Sequence, residues 1–193
     1  MHAKRYIGTA ALALLVFAGS VQAQDRTRIT VGTGAGGSFP VGSTSDLLGF
    51  GWNAQANLGL RNPAWPVGLR LDLVYNVFDG DNTTEVDNDR RVLAGLANLE
   101  LKFNRNSDSG FFIVGGPGYY SLEWDAAVGN ESQSDPGIFG GAGYRFAMTN
   151  LLLNIEGKYH HVFTEGESTK FIPLSIVAEI PLGGGGTRAL RTR

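Results

Sequence analysis

The chain has 193 residues, 16 of them basic and 18 acidic, a formal net charge of −2 and no cysteine. A mildly acidic balance argues against nucleic acid, whose phosphates require a basic footprint, and the missing cysteine removes disulfide frameworks and thiolate metal sites. Glycine, at 28 residues, stands at about twice its usual share without a collagen triplet, which suits a curved, closed sheet.

Residues 1–23 read as an export signal. His2, Lys4 and Arg5 form a basic start, Ile7 to Ala18 supply a short apolar run, and Val21-Gln22-Ala23 gives a small-x-small cleavage site before Gln24. The apolar run falls well short of the ~20 residues that a spanning helix needs, so cleavage, not anchoring, is expected. Loss of Lys4 and Arg5 takes the formal charge from −2 to −4. Residues 24–182 suit one domain, and no later stretch is apolar enough for a transmembrane helix.

From Gln24 onward, apolar and polar residues alternate in eight stretches. Ile29 to Ser38 is the weakest, being mostly glycine. Phe50 to Leu60 follows. In Val67 to Phe78, the residues Val67, Leu69, Leu71, Leu73, Tyr75 and Val77 alternate with Gly68, Arg70, Asp72 and Asn76. Leu93 to Phe103, Phe111 to Trp124 and Gly137 to Phe146 alternate more loosely. Leu151 to Phe163 is the clearest, with Leu151, Leu153, Ile155, Gly157 and Tyr159 opposite Asn154, Glu156, Lys158 and His160. The last stretch sets Ile172, Leu174, Ile176, Ala178 and Ile180 against Pro173, Ser175, Val177 and Glu179. A period of two means strand, and a helical period would mix Glu156 and Lys158 with leucines.

Links between the stretches differ in length. Arg61 to Pro66, Asn104 to Gly110 and the segment at Met148 are short, whereas Pro40 to Gly49, Asp79 to Arg90 and Asp125 to Pro136 are long and polar, with Thr164 to Thr169 intermediate. Alternating short and long connections on an up-and-down meander predict an eight-stranded antiparallel transmembrane barrel, with short turns and both termini in the periplasm. Period two alone leaves open whether the apolar face points to lipid or inward, as in a soluble secreted barrel. Charge decides for lipid. Arg70, Asp72, Glu100, Lys102, Glu123, Arg145, Glu156, Lys158 and Glu179 oppose the apolar face, and basic residues facing lipid at mid-depth cost about 2–4 kcal/mol each. They are expected in the lumen. Phe50, Trp52, Phe78, Trp124, Phe163 and Phe171 are expected near the outer rim, and Phe103, Phe111, Phe112, Tyr144 and Phe146 near the inner one.

Over residues 29–182 the chain resembles the small outer-membrane β-barrel family that includes the OmpX-like and opacity-like proteins. The likeness rests on the signal, the eight-stranded meander and the phrases VGLRLDLVYN from Val67, GGAGYRF from Gly140, EGKYHHVF from Glu156 and FIPLSIVAEIPL from Phe171. It implies architecture more than activity. Many such barrels end on an aromatic residue, whereas here Leu182 closes the strand and residues 183–193, GGGGTRALRTR, form a flexible basic tail.

Candidate chemistry is thin. Gly32, Gly34 and Gly37 satisfy G-x-G-x-x-G, yet SFPVG follows where the nucleotide fingerprint demands a helix. Asp79, Asp81, Glu85, Asp87 and Asp89 crowd one link without the spacing of a calcium loop, so a solvated loop is the reading. Asn82 and Asn130 begin sequons of no consequence in a bacterial protein. His160 and His161, beside Glu165, Glu167 and Ser168, invite comparison with a lipid A deacylase, but Val162 and Phe163 stand where its His-x-Ser pattern would continue. Neighbouring strand residues point to opposite faces, which sends His160 into the lumen and His161 to the lipid interface.

The sequence therefore predicts a non-enzymatic barrel with a structural or surface-interaction role, and no catalytic, cofactor or metal residue is assigned. Its expected partners are outer-membrane lipid and lipopolysaccharide, and an extracellular ligand at links 79–90 and 125–136. A monomer is expected. A lipid-modifying enzyme and a small-solute channel are the competing classes.

Overall fold

The computed structural model describes residues 27–46, 48–62, 65–80, 90–104, 107–126, 129–164 and 168–182. The expected signal and tail lie outside them. Eight strands follow one another: β1 (Arg28–Pro40), β2 (Leu48–Arg61), β3 (Val67–Gly80), β4 (Arg90–Lys102), β5 (Gly110–Ala126), β6 (Gly129–Ala147), β7 (Leu152–Val162) and β8 (Thr169–Leu182), with a 3-10 turn, Gly42–Asp46, between the first two. Each pairs antiparallel with its successor. β1 also pairs with β8, from Ile29↔Leu182 to Pro40↔Phe171, and the barrel closes. Closure leaves no strand edge, the condition for sheet backbone to survive in hydrocarbon.

The outer face is the apolar one. Leu69, Leu71, Leu73, Leu99, Ile113, Ile155, Leu174, Ile176 and Ile180 all point away from the interior and stand about half exposed, far more contiguous apolar surface than water tolerates on a monomer. Bands of aromatic rings bound it. Phe39 packs on Phe50 at 5.0 Å and Trp52 on Tyr75 at 5.8 Å at the end where the long links lie. At the other end Tyr144 joins Phe111 at 4.8 Å and Phe146 at 4.7 Å, near exposed Phe103 and Trp65. Rings with an apolar body and polar surroundings suit the two faces of a bilayer.

Residues 62–66, 103–109 and 148–151 join β2–β3, β4–β5 and β6–β7 at the end that also carries Arg28 and Leu182. Two of them are closed by a backbone hydrogen bond: Trp65 donates its backbone N–H to Asn62 at 3.0 Å and Met148 to Leu151 at 2.8 Å.

Three expectations are corrected. Asp125 to Pro136, expected to be a loop, is mostly strand, since the β5–β6 ladder runs on through Glu123↔Ser132 and Asp125↔Asn130 to Ala126↔Gly129. A hairpin rising beyond the apolar belt can be polar on both faces, so its composition reads as loop while its backbone still pairs. Phe78, Phe112 and Phe171, expected in the rims, are interior, with exposures of 0%, 1% and 0%. Glu123, expected in the lumen, is exposed on the outer face, where its register partner is Arg91. β5 is apolar on both faces, with Phe111-Phe112 and Tyr119-Tyr120 as pairs, so its parity was illegible; near the rim an outward acid costs little. The glycine-rich Ile29 to Ser38, expected as the weakest strand, is strand and extends on both sides to 13 residues, Arg28–Pro40.

Candidate functional site

Alternation sends one residue in two inward, and in β2, β3, β4, β6, β7 and β8 the inward row carries charge or amide. Four cations, Arg61, Arg70, Arg145 and Lys158, meet four carboxylates, Asp72, Glu100, Glu156 and Glu179, all buried. Arg70 donates from Nε to Asp72 at 2.8 Å and from Nη2 to Glu156 at 2.9 Å, with Glu179 at 3.5 Å. Lys158 bridges Asp72 at 2.6 Å and Glu156 at 2.9 Å. Nearer the short links, Arg145 donates to Glu100 at 2.7 and 2.8 Å, and Arg61 joins Glu100 at 2.9 Å to Glu179. Ions this dry persist only when paired and hydrogen-bonded. Asn154 completes the network, accepting from Arg145 at 2.7 Å and donating to Glu179 at 2.8 Å.

Arg61 escaped the sequence reading because it opens the link RNPAWP; the parity of Gln55 and Asn57 on the same strand would have placed it inward. Lys102, expected in the lumen, is only half-buried at the short-link mouth.

Glycine makes the room. A Cβ on Gly32 would lie 2.6 Å from Cγ of Glu179 and 2.8 Å from Oδ1 of Asn57. The G-x-G-x-x-G spacing therefore belongs to a strand whose inner face yields volume to the ion network, and no phosphate-binding helix follows it.

Toward the long links the interior changes character. Phe78, Val92, Leu96, Tyr120, Leu122, Phe139, Val162 and Phe171 are buried together, and His160 lies among them with no exposed surface. Its ring stacks on Phe171 at 4.7 Å and on Phe139 at 5.5 Å, and Nδ1 shares a 2.8 Å hydrogen bond with the Tyr120 hydroxyl. The lumen is thus filled in two storeys, ionic and aromatic, in series along the axis. Sequence reasoning placed His160 inside but missed Tyr120, Phe139 and Phe171.

His161 lies on the opposite face, its ring 5.2 Å from Phe163. Among the described residues neither histidine hydrogen-bonds a serine: Ser38 donates to Asn76 and Ser175 to Asn53. Glu165, Glu167 and the acidic link from Asp81 to Asp89 lie outside the described residues, and among those described no group of His, Asp or Glu is arranged to hold a metal.

The family model described as outer membrane protein beta-barrel domain matches residues 9–176. Among solved structures, Neisserial surface protein A superposes with a TM-score of 0.61 at 15% identity, over 79% of this chain and 96% of that one. A major outer membrane protein of Thermus thermophilus gives 0.57 at 15% identity, over 81% and 99%. Ail of Yersinia pestis, solved with the heparin analogue sucrose octasulfate, gives 0.50 at 16% identity, over 81% and 98%. These likenesses are of fold. No curated protein matches the chain in sequence.

Proposed function

The chain belongs to the outer membrane protein β-barrel domain family, and from that premise we propose that it is a non-enzymatic barrel of the bacterial outer membrane, with termini in the periplasm and a recognition surface built on its long links. The observation that carries this reading is the filled interior. A lumen occupied by Arg70, Glu156 and Lys158 in one storey and by Phe78, Tyr120, His160 and Phe171 in the next offers no continuous solute path through the barrel, and no catalytic cleft beside His160. The rigid barrel then serves to hold loops, a common division of labour between scaffold and binding surface.

The surface has two parts, the link between β3 and β4 and the polar end of the β5–β6 hairpin. The first carries Asp79, Asp81, Glu85, Asp87 and Asp89. Ail was solved with a polysulfated ligand, but a run of carboxylates has the wrong sign for one. A cationic surface, or lipopolysaccharide phosphates bridged by divalent cations, fits better.

The test is to replace residues 80–89, and separately 125–130, by a tight turn and to measure binding of expressing cells to cationic and host-derived surfaces. Heat-sensitive gel mobility should persist, because the ladder and lipid-facing rows hold the barrel, while binding falls. Unchanged binding with either link removed would reject the recognition role. A lipid-modifying activity is the weaker reading, since His160 is partnered by tyrosine in a dry cluster.

A further inference from the structure

The short-link end of the barrel is hollow. A cavity of about 530 Å³ opens there between the turns, within the range of small-molecule sites. Its charge is lopsided: Arg28, Arg61, Lys102 and Arg145 line it, against Asp108 alone. Each cation arrives from a strand end. Arg28 begins β1, Arg61 and Lys102 end β2 and β4, and Arg145 lies two residues before the end of β6.

Three of these have partners. Glu100 holds Arg61 and Arg145, Glu179 also holds Arg61, and Asp108 stands 3.5 Å from Arg28. Lys102 is held less closely, drawn by Asp108 and Glu100 only from a distance. Its backbone is fixed to Pro66 by a 2.8 Å hydrogen bond, its parity is that of Glu100, and no carboxylate among the described residues comes within ion-pair distance of its ammonium. One donor is unanswered, since Nε of buried Arg61 has no acceptor among the described residues. A cation with no direct ion pair, in a mouth lined by four cations and one carboxylate, and an unmet buried N–H beside it suit an oxyanion, because a buried donor is costly unless met.

We propose that the short-link mouth binds a small soluble oxyanion, of the phosphate or carboxylate class, with Lys102 as its principal contact and Arg28 and Arg61 as supporting donors. The lining residues belong to the inner face and to the turns, Ser107 and Met148 among them, so the ligand enters along the axis from the aqueous phase and not from lipid.

The probe is pyrophosphate, titrated by phosphorus NMR into the full-length protein folded in zwitterionic detergent micelles. Saturable binding is expected, weakened about tenfold in Lys102→Gln, the loss of one charge-assisted contact. Arg28→Gln should weaken it less, and Lys170→Gln, at the other end, not at all. Heat-sensitive gel mobility verifies that each variant is folded, and Arg28→Gln carries the test if Lys102→Gln is not. No saturable binding, equal binding across all variants, or binding that appears only in micelles doped with phosphatidylglycerol would each overturn the proposal.

Discussion

Arg70 and Glu156 lie 86 positions apart in sequence, yet Nη2 of the first donates to both carboxylate oxygens of the second at 2.9 Å across the lumen. Because both are buried, removing one strands the other: Arg70→Gln or Glu156→Gln should each lower unfolding free energy by about 3–5 kcal/mol. The double variant should cost less than the sum, by about 0.5–3 kcal/mol. Urea unfolding in lipid vesicles measures all three, and strict additivity would show that the pair is not coupled.

The two storeys in series bear on conduction. Eight strands leave an interior that side chains can fill, and here ions fill one half and rings the other. Planar-bilayer recording of the wild type should give no unitary currents. Glu156→Ala should stay silent as well, since Phe78, Tyr120 and Phe171 still fill the lumen above it. Reproducible currents from wild type, altered in Glu156→Ala, would restore the channel reading.

His160 separates a structural from a catalytic role. Deleting a ring stacked between Phe139 and Phe171 leaves a cavity, and His160→Ala should cost about 2–5 kcal/mol, the range for truncating large buried side chains. Lipid A from cells expressing wild type, His160→Ala, His161→Ala or Ser168→Ala should give the same mass spectrum. An acyl chain lost or gained only with wild type would make the protein an enzyme.

The barrel was legible where one face is uniformly apolar. β3, β7 and β8 show it: Leu69, Leu71 and Leu73 outward, Asn154, Glu156, Lys158 and His160 inward, all as the alternation predicts. It was illegible where both faces have the same character. β5 carries apolar residues inside and out, so Phe112 and Glu123 were assigned to the wrong sides. The β5–β6 hairpin is polar on both sides near its tip, so strand was read as loop. The ionic network was visible as a set of charges on one parity, but not its pairing, which depends on which strands face each other across the lumen. Period two also cannot separate the interior's ionic half from its aromatic half, because an inward Phe78 at a strand end looks like a rim residue.

Two glycines put the packing account to a sharper test. Gly32 faces inward, where an added Cβ would meet Glu179 at 2.6 Å and the backbone oxygen of Ala178 at 2.7 Å. Gly95 faces outward on β4, with nothing within 4 Å of the same added atom. A β-branched side chain suits a strand and a lipid-facing surface, so Gly95→Val should fold as well as wild type or better. Gly32→Val must displace either the β8 backbone or the carboxylate that holds Arg61, and overpacking of this kind costs about 1–3 kcal/mol or more. Heat-sensitive gel mobility and urea midpoints of the two variants should diverge, with Gly32→Val lower. If both are tolerated equally, the inner face of β1 has slack, and Gly32 is not there to make room for the ion network.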